Sequence, residues 1–330
     1  MSSGHAAMPE TAAGGAFLTM TLSPELLVTD STERVWLRVG GDDADAFLQG
    51  QLSNDVRRLS EHQAQLSSYN SPKGRMLAVL TLLRAGDDIL IELHRAIADA
   101  TLARLKLFVL RSKVTLARAD DLDALAVIGD DAAALLASLR LPAPQAPLQC
   151  ARDARGIAVV RRLGARPRYS LVASRETIAA LRPQIPASLR QAEGTQWRRA
   201  DIEGGIPLVL PETRDHFVAQ MANLDLLDGI SFSKGCYTGQ EIVARLHYLG
   251  QLKRRLFVAR IDGPPPAPGS DVLAAGETQA VGEIIDAVAD DHGALASVVL
   301  QLGAREAALR LGDGTALRLI DAAEPPPPTA

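Results

Sequence analysis

Residues 35–39, Val35-Trp36-Leu37-Arg38-Val39, alternate apolar and polar positions with period two, as a half-buried strand does. Gly40-Gly41-Asp42 interrupts that pattern. Over 44–52 the apolar spacing becomes helical, with an aspartate at its head as the N-cap. Apolar runs over 76–83 and 89–93 predict two strands. Gly86-Asp87-Asp88 between them predicts a turn, so the pair reads as a hairpin. A helix is expected over 95–109, followed by short strands over 113–116 and 122–128. Asp130 then caps an Ala/Leu-rich helix that runs to 139.

The proline-rich stretch 142–147 reads as a linker into a smaller unit. That unit has strands near 157–160 and 169–172 and a helix over 174–181. Residues 197–202 read as helical and end at Gly204-Gly205. A long irregular segment then begins at Ile206. After Gly250 the texture changes to short strands, 256–261, 272–273, 281–285, 296–300 and 316–320, between Gly/Pro turns. Such spacing predicts a small antiparallel barrel or sandwich. The expected class is α+β with an all-β C-terminal domain. Residues 21–120 and 195–250 form an interleaved core in this reading, 121–194 a second, smaller α+β unit, and 251–322 the C-terminal β-barrel. The Ala/Gly/Ser-rich stretch 1–20 and the proline-rich 323–330 are expected to be disordered.

Composition narrows the function classes. At 330 residues, 47% hydrophobic and 22% charged, the chain has the balance of an ordinary globular protein. A net charge of -4 disfavours tight, sequence-independent nucleic-acid binding but leaves room for a local basic patch. Two cysteines far apart, Cys150 and Cys236, give neither a disulfide framework nor a Cys-rich zinc pattern, which suits a reducing compartment. No apolar run approaches the ~20 residues of a membrane span. The N-terminus lacks the basic start and apolar core of a signal peptide. A cytoplasmic protein with no membrane partner is expected. There is no Gly-x-Gly-x-x-Gly after a strand and no Walker loop, so nucleotide-driven chemistry is not expected.

The most unusual stretch is the octet 234–241, Lys-Gly-Cys-Tyr-Thr-Gly-Gln-Glu. Nearly every side chain in it is polar or absent, which is not how a core segment is built. A helix is expected from Thr238, with Glu241 and Arg245 paired one turn apart. Cys236 then stands just ahead of the helix. The free N–H groups there, together with Lys234, favour a thiolate. Cys150 lies in an ordinary apolar setting and reads as a small buried hydrophobe. A cysteine hydrolase would need a histidine oriented by a third group. The histidines nearest in sequence, His216 and His247, are not tied to the thiol by any spacing, and a helix-end role suits His247 equally. No metal cluster can be drawn from the six histidines.

Three further polar groupings stand out. In 68–76, Pro72 and Gly74 fix a turn flanked by Lys73 and Arg75, which suits a carboxylate or phosphate as well as plain solvation. Glu203 stands at a helix C-terminus before two glycines, where acid is electrostatically disfavoured. A carboxylate can accept two hydrogen bonds from the amino-pyrimidine edge of a pterin or guanine. Lys253-Arg254-Arg255 is a short basic run, either a solvated strand edge or an anion patch.

The octet, extended by Val243-Ala244-Arg245, resembles the signature of the YgfZ-type folate-binding proteins, relatives of the glycine-cleavage T-protein (aminomethyltransferase). The likeness continues through 47–56, 71–76, 110–114 and 203–207, and covers roughly 35–258. It implies an aminomethyltransferase-like, three-part ring around a site for tetrahydrofolate or a one-carbon derivative. On this resemblance Glu203 lies near the pterin. Asn70, Lys73, Arg75, Lys234, Tyr237, Gln240, Glu241 and Arg245 are folate-binding positions, and Cys236 is the functional thiol beside them. The implied role is support of iron–sulfur client enzymes, a tRNA-thiolating one among them, with the clients holding the clusters. One departure matters. The aminomethyltransferases carry an acid in the strand after the Gly74-like turn, whereas this strand reads Met76-Leu77-Ala78-Val79-Leu80. Neither Leu nor Ala can transfer a proton. The resemblance therefore points to an accessory factor ahead of a folate-dependent one-carbon transferase. A tRNA-binding factor using Arg245, Lys253, Arg254 and Arg255 is the other alternative.

Overall fold

The computed structural model describes residues 25–191 and 195–320. The expected disordered stretches 1–20 and 323–330 lie outside these residues. In chain order the first elements are β1 (Leu27–Asp30), β2 (Arg34–Gly40), α1 (Ala44–Gln51), β3 (Gln65–Asn70), β4 (Met76–Ala85) and β5 (Asp88–His94). Then come α2 (Arg95–Lys106), β6 (Thr115–Arg118), β7 (Leu122–Ile128), α3 (Ala132–Ser138), β8 (Cys150–Arg152) and β9 (Ala158–Arg161). They are followed by β10 (Arg168–Ser174), α4 (Arg175–Leu181), β11 (Arg190–Gln191), α5 (Thr195–Glu203) and α6 (Gln240–Tyr248). The last strands are β12 (Arg254–Ile261), β13 (Asp271–Ala274), β14 (Ala280–Asp290), β15 (Gly293–Gln301), β16 (Leu309–Leu311) and β17 (Ala316–Ile320).

Three sheets result. One has five strands in the order β3-β4-β5-β2-β6, and the second has six in the order β11-β1-β7-β10-β9-β8. The third closes into a barrel, β12-β15-β14-β13-β16-β17. Closure leaves the barrel without a free edge. The expected hairpin is the β4–β5 pair, joined at Ala85↔Asp88. β1 joins the six-stranded sheet, pairing antiparallel with β7, rather than the sheet that holds most of 21–120.

Some local expectations shift. Asp43 at the head of α1 makes no capping bond; its carboxylate accepts from the Lys113 backbone N–H at 2.7 Å instead. The N-cap of α3 is Asp131 rather than Asp130, and its side chain does not cap the helix. α2 stops at Lys106, short of 109, because the chain passes into successive turns from Leu107. The strand expected over 113–116 lies two residues later, as β6.

α5 joins the three sheets. Trp197 packs on Ala126 and Ile128 of β7, while Ile202 packs on Val258, Val288 and Leu295 of the barrel. Trp197 and Asp201 share one helix face at i,i+4, and Arg198 and Ile202 share another. One short helix thus addresses different sheets from different faces. Arg198 ion-pairs with Asp286, beside a β-bulge in β14 that breaks the register between Ile284 and Asp286.

Candidate functional site

A polar layer lies between the five-stranded sheet, the six-stranded sheet and α5. Pairing sets Trp36 opposite Glu92, and Glu92 opposite Thr81. Arg162, just after β9, donates to the Thr81 hydroxyl at 3.0 Å, and its Nη2 lies 2.7 Å from Glu92 Oε2. That approach makes an ion pair but is not aligned as a hydrogen bond. Arg168 of β10 reaches Asp201 at 2.7 Å, and Arg34 of β2 binds the other oxygen of the same carboxylate. The Arg168 and Arg162 guanidiniums lie 4.8 and 5.6 Å from the centre of the Trp197 ring.

Electrostatics keep these groups charged despite burial. Burial opposes ionisation of Asp201, but Arg168 and Arg34 outweigh it and hold the carboxyl below its usual range. His94, paired with Arg34 across β2 and β5, is pushed down to about 4, first by burial and then by the surrounding arginines. The layer still has unused capacity. Arg162 Nη1, Arg168 Nη1 and Trp197 Nε1 are buried donors, and Glu92 Oε2 a buried acceptor, without hydrogen-bond partners. Buried polar groups left this way are costly, so each invites an explanation. Arg34 and Trp36 also line an adjacent cavity of about 280 Å³ with Asp30, Asp123, Arg95, Arg118, Arg175 and Arg182. An acceptor edge, donor groups and two indoles suit an amino-substituted heterocycle, and the guanidiniums suit a carboxylate.

The octet forms a second candidate site, against the β3–β4 turn and the end of α1. Its arrangement differs from a helix-start thiol. α6 begins at Gln240 with Gly239 as its N-cap, so Cys236 lies outside the first turn, where dipole effects fall away. Lys234 does not face the thiol. It is buried, and its ammonium donates to the carbonyls of Gln49, Leu52 and Asn54 at 2.7, 2.6 and 2.9 Å. All three of its protons are used, which leaves none for a ligand. Burial lowers this lysine to about 8, against the pull of Asp55. Tyr237 is buried with Lys234 Nζ 5.0 Å from its ring centre, and burial raises its phenol. Gln240 turns back, accepting from the Tyr237 N–H. Gly239 has φ +83, and a Cβ there would collide with the Ser71 carbonyl and with Gly74. The octet is thereby locked onto the β3–β4 turn. Cys236 is exposed and Cys150 buried.

Beside that turn lies a cleft of about 500 Å³ lined by Ser71, Lys73, Leu77, Arg104, Arg214 and Asp215 among others. Both side-chain polar atoms of Asn70, Arg104 Nε and Arg214 Nε are buried near it without hydrogen-bond partners, and the Tyr69 phenol faces Arg104. Burial pushes the Tyr69 phenol up, against Arg104 and Arg214. Lys73 and Arg75 are exposed, and Arg75 donates to the Asp215 carbonyl at 3.3 Å. The other expected residues are placed differently. Glu203 is half-buried at the end of α5 and pairs with Arg199 at 3.0 Å; it does not line the Lys73 cleft. The Glu241–Arg245 pair does not form, and neither residue has an ion-pair partner among the described residues. Arg255 is bound by Asp225 at 2.6 and 2.9 Å, so it is withdrawn from any basic patch. His216 binds Glu283 at 2.6 Å, and His247 stacks on Phe232.

Trp36, Glu92, Arg162, Arg168 and Trp197 were not singled out by sequence reasoning. A signal was present: the chain has only two tryptophans, and each has arginines within two positions, Arg34 and Arg38 or Arg198 and Arg199. The geometry can be set against known proteins. No family model matches the chain. It is 35% identical over 268 residues to a tRNA-modifying protein YgfZ of Cronobacter sakazakii, covering 79% of this chain and 80% of that one. It is 31% identical over 250 residues to the YgfZ of Colwellia psychrerythraea, covering 76% of each chain. Among solved structures, the glycine cleavage system aminomethyltransferase T from Bartonella henselae aligns with a TM-score of 0.68, covering 90% of this chain and 85% of that one at 17% identity. The fold is aminomethyltransferase-like, and the extent of the sequence match shows that this chain belongs to the YgfZ family.

Proposed function

We propose that this protein is a tetrahydrofolate-binding accessory factor that supports iron–sulfur enzymes, including one that modifies tRNA. The observation that carries the folate part is the layer between the sheets. Its two tryptophans, the Glu92 acceptor and the orphaned donors of Arg162, Arg168 and Trp197 match the donor and acceptor edges of a pterin. Arg95 and Arg175 line the adjoining cavity without an ion-pair partner among the described residues and suit the glutamyl carboxylates, whereas Arg34, Arg118 and Arg182 there are already paired. Bound there, the folate would supply one-carbon or reducing chemistry. The chain's residues orient it, exclude water and balance its charge. The accessory role in tRNA modification draws on the relatives, which carry that name. Cys236, exposed within the octet, is the thiol available to a client.

A one-carbon transferase is the weaker reading. β4 runs Met76-Leu77-Ala78-Val79-Leu80 through the core with no acid, so the strand offers no proton-transfer group. Calorimetric titration of tetrahydrofolate into the pure protein tests the proposal, with tryptophan fluorescence as the second readout. Saturable binding with quenching, weakened in Trp197→Ala and Glu92→Gln, is expected. Absence of heat, or unchanged binding in both variants, overturns the folate site. Glu203→Ala in the same assay decides whether that carboxylate reaches the pterin. Complementation of a deficient strain by Cys236→Ala as fully as by wild type would remove the thiol from the proposal.

A further inference from the structure

α6 ends in an aromatic ladder that the folate reading does not use. Phe232 and His247 stack face to face, with centroids 3.7 Å apart and planes 13° from parallel. Tyr248 meets them edge-on at 6.4 and 4.7 Å. Phe232 packs against the main hydrophobic core and anchors the ladder, while His247 is exposed and Tyr248 is 65% exposed. Ordered rings facing water are unusual, because aromatic pairs mostly serve to bury area.

The surroundings are cationic. Ile242 of α6 packs on Gly74, which brings the β3–β4 turn and its Lys73 alongside the helix. Arg245 stands on the helix itself, and Lys253 and Arg254 follow it in the chain. Among the described residues none of these four has an ion-pair partner, whereas Arg255 next to them is bound by Asp225. The opposing charge on the helix is Glu241 alone. A net-negative chain thus carries unpaired cations on α6 and in the segments that flank it.

We propose that the Phe232–His247–Tyr248 ladder is a stacking platform for an unpaired base of an RNA loop, with Lys73, Arg245, Lys253 and Arg254 holding the flanking phosphates. Unpaired bases stack on such rings, and phosphates follow cations beside them. A protein-docking patch is a poorer match, since lysine is depleted at interface cores. The choice of RNA rests on the tRNA-modification reading above.

Fluorescence anisotropy with a labelled hairpin RNA bearing an open loop, against a blunt RNA duplex, tests this. The hairpin is expected to bind more tightly than the duplex. Tyr248→Ala should weaken hairpin binding by about 5- to 150-fold, the range of one lost base stack, and Tyr248→Phe should retain it. Arg245→Gln combined with Lys253→Gln should flatten the slope of log affinity against log salt by about 1.4. Tyr248 is mostly exposed, so Tyr248→Ala should keep the wild-type melting curve and its tetrahydrofolate isotherm. A wild-type isotherm without RNA binding overturns the platform and leaves the folate reading standing. The platform is overturned by no saturable hairpin binding at low salt, as for a face that takes only protein. It is equally overturned by equal affinities for wild type and Tyr248→Ala.

Discussion

Arg168 Nη2 lies 2.7 Å from Asp201 Oδ1, with both side chains almost fully buried. Arg34 binds the second oxygen of that carboxylate from the five-stranded sheet. One acid on α5 therefore ties two sheets together. Removing one partner from such a group costs far more than the pair contributes, because a buried charge is left uncompensated. Asp201→Asn is expected to destabilise the fold by about 3–5 kcal/mol, measured by urea unfolding. In a double-mutant cycle, Asp201→Asn with Arg168→Met should cost less than the two single changes added. Additive costs would show that the contact carries no coupling.

His94 adds a pH dependence at the same layer. Its folded value of about 4 lies below the ordinary 6.5, so between these values the unfolded chain binds the extra proton. Its contribution to stability is fully present above about pH 6.5 and is lost as pH falls toward 4. The structure gives a local reason: the neutral ring accepts from the Ala96 N–H and caps α2, which a protonated ring cannot do. Unfolding midpoints measured across pH 7.5 to 4 should fall along a one-proton slope, and His94→Asn should flatten it. Identical slopes for both proteins would assign the effect to other groups.

Much of this fold follows from apolar periodicity. The β4–β5 hairpin and five of the six barrel strands could be read because their apolar runs are long or clearly bounded, whereas the three-residue β16 was not read. β3 escaped because Gln65-Leu66-Ser67-Ser68-Tyr69-Asn70 is mostly polar, yet it is wholly buried. Part of it is tied down by distant partners, as where Ser53 Oγ takes both the Ser68 N–H and, as donor, the Gly229 carbonyl, while Ser68 Oγ, Tyr69 Oη and the Asn70 amide stay without a hydrogen bond. Asn54, in the turn after α1, likewise donates to the Leu66 and Asp228 carbonyls. No local pattern encodes such contacts. The octet was legible as unusual, but Lys234 could not be placed, since its carbonyl partners lie about 180 residues earlier in the chain. The layer around Trp197 was missed for the same reason: its charges come from four separate segments.

Lys234 offers a test of structural against ligand-binding character. Its three carbonyl partners are contributed by the end of α1 and the turn after it. Lys234→Met keeps most of the volume and removes every donor, leaving buried carbonyls unsatisfied at about 1–3 kcal/mol each. Loss of about 3 kcal/mol or more in urea unfolding is expected. Near-wild-type stability with weakened tetrahydrofolate binding would instead return Lys234 to the ligand.

The two cysteines should separate cleanly by access. Cys236 is exposed, whereas Cys150 on β8 is buried and burial raises its thiol, so the native protein should offer one reactive sulfur. An aromatic disulfide reagent is expected to titrate one thiol rapidly in the folded protein and two in denaturant. Cys236→Ser should abolish the rapid phase and leave stability within about 0.5 kcal/mol, as for a surface substitution away from packed contacts. If tetrahydrofolate occupies the layer around Trp197 rather than the octet, saturating ligand should leave the rapid rate unchanged. Protection of Cys236 by ligand would move the folate to the octet, and with it the assignment of the site.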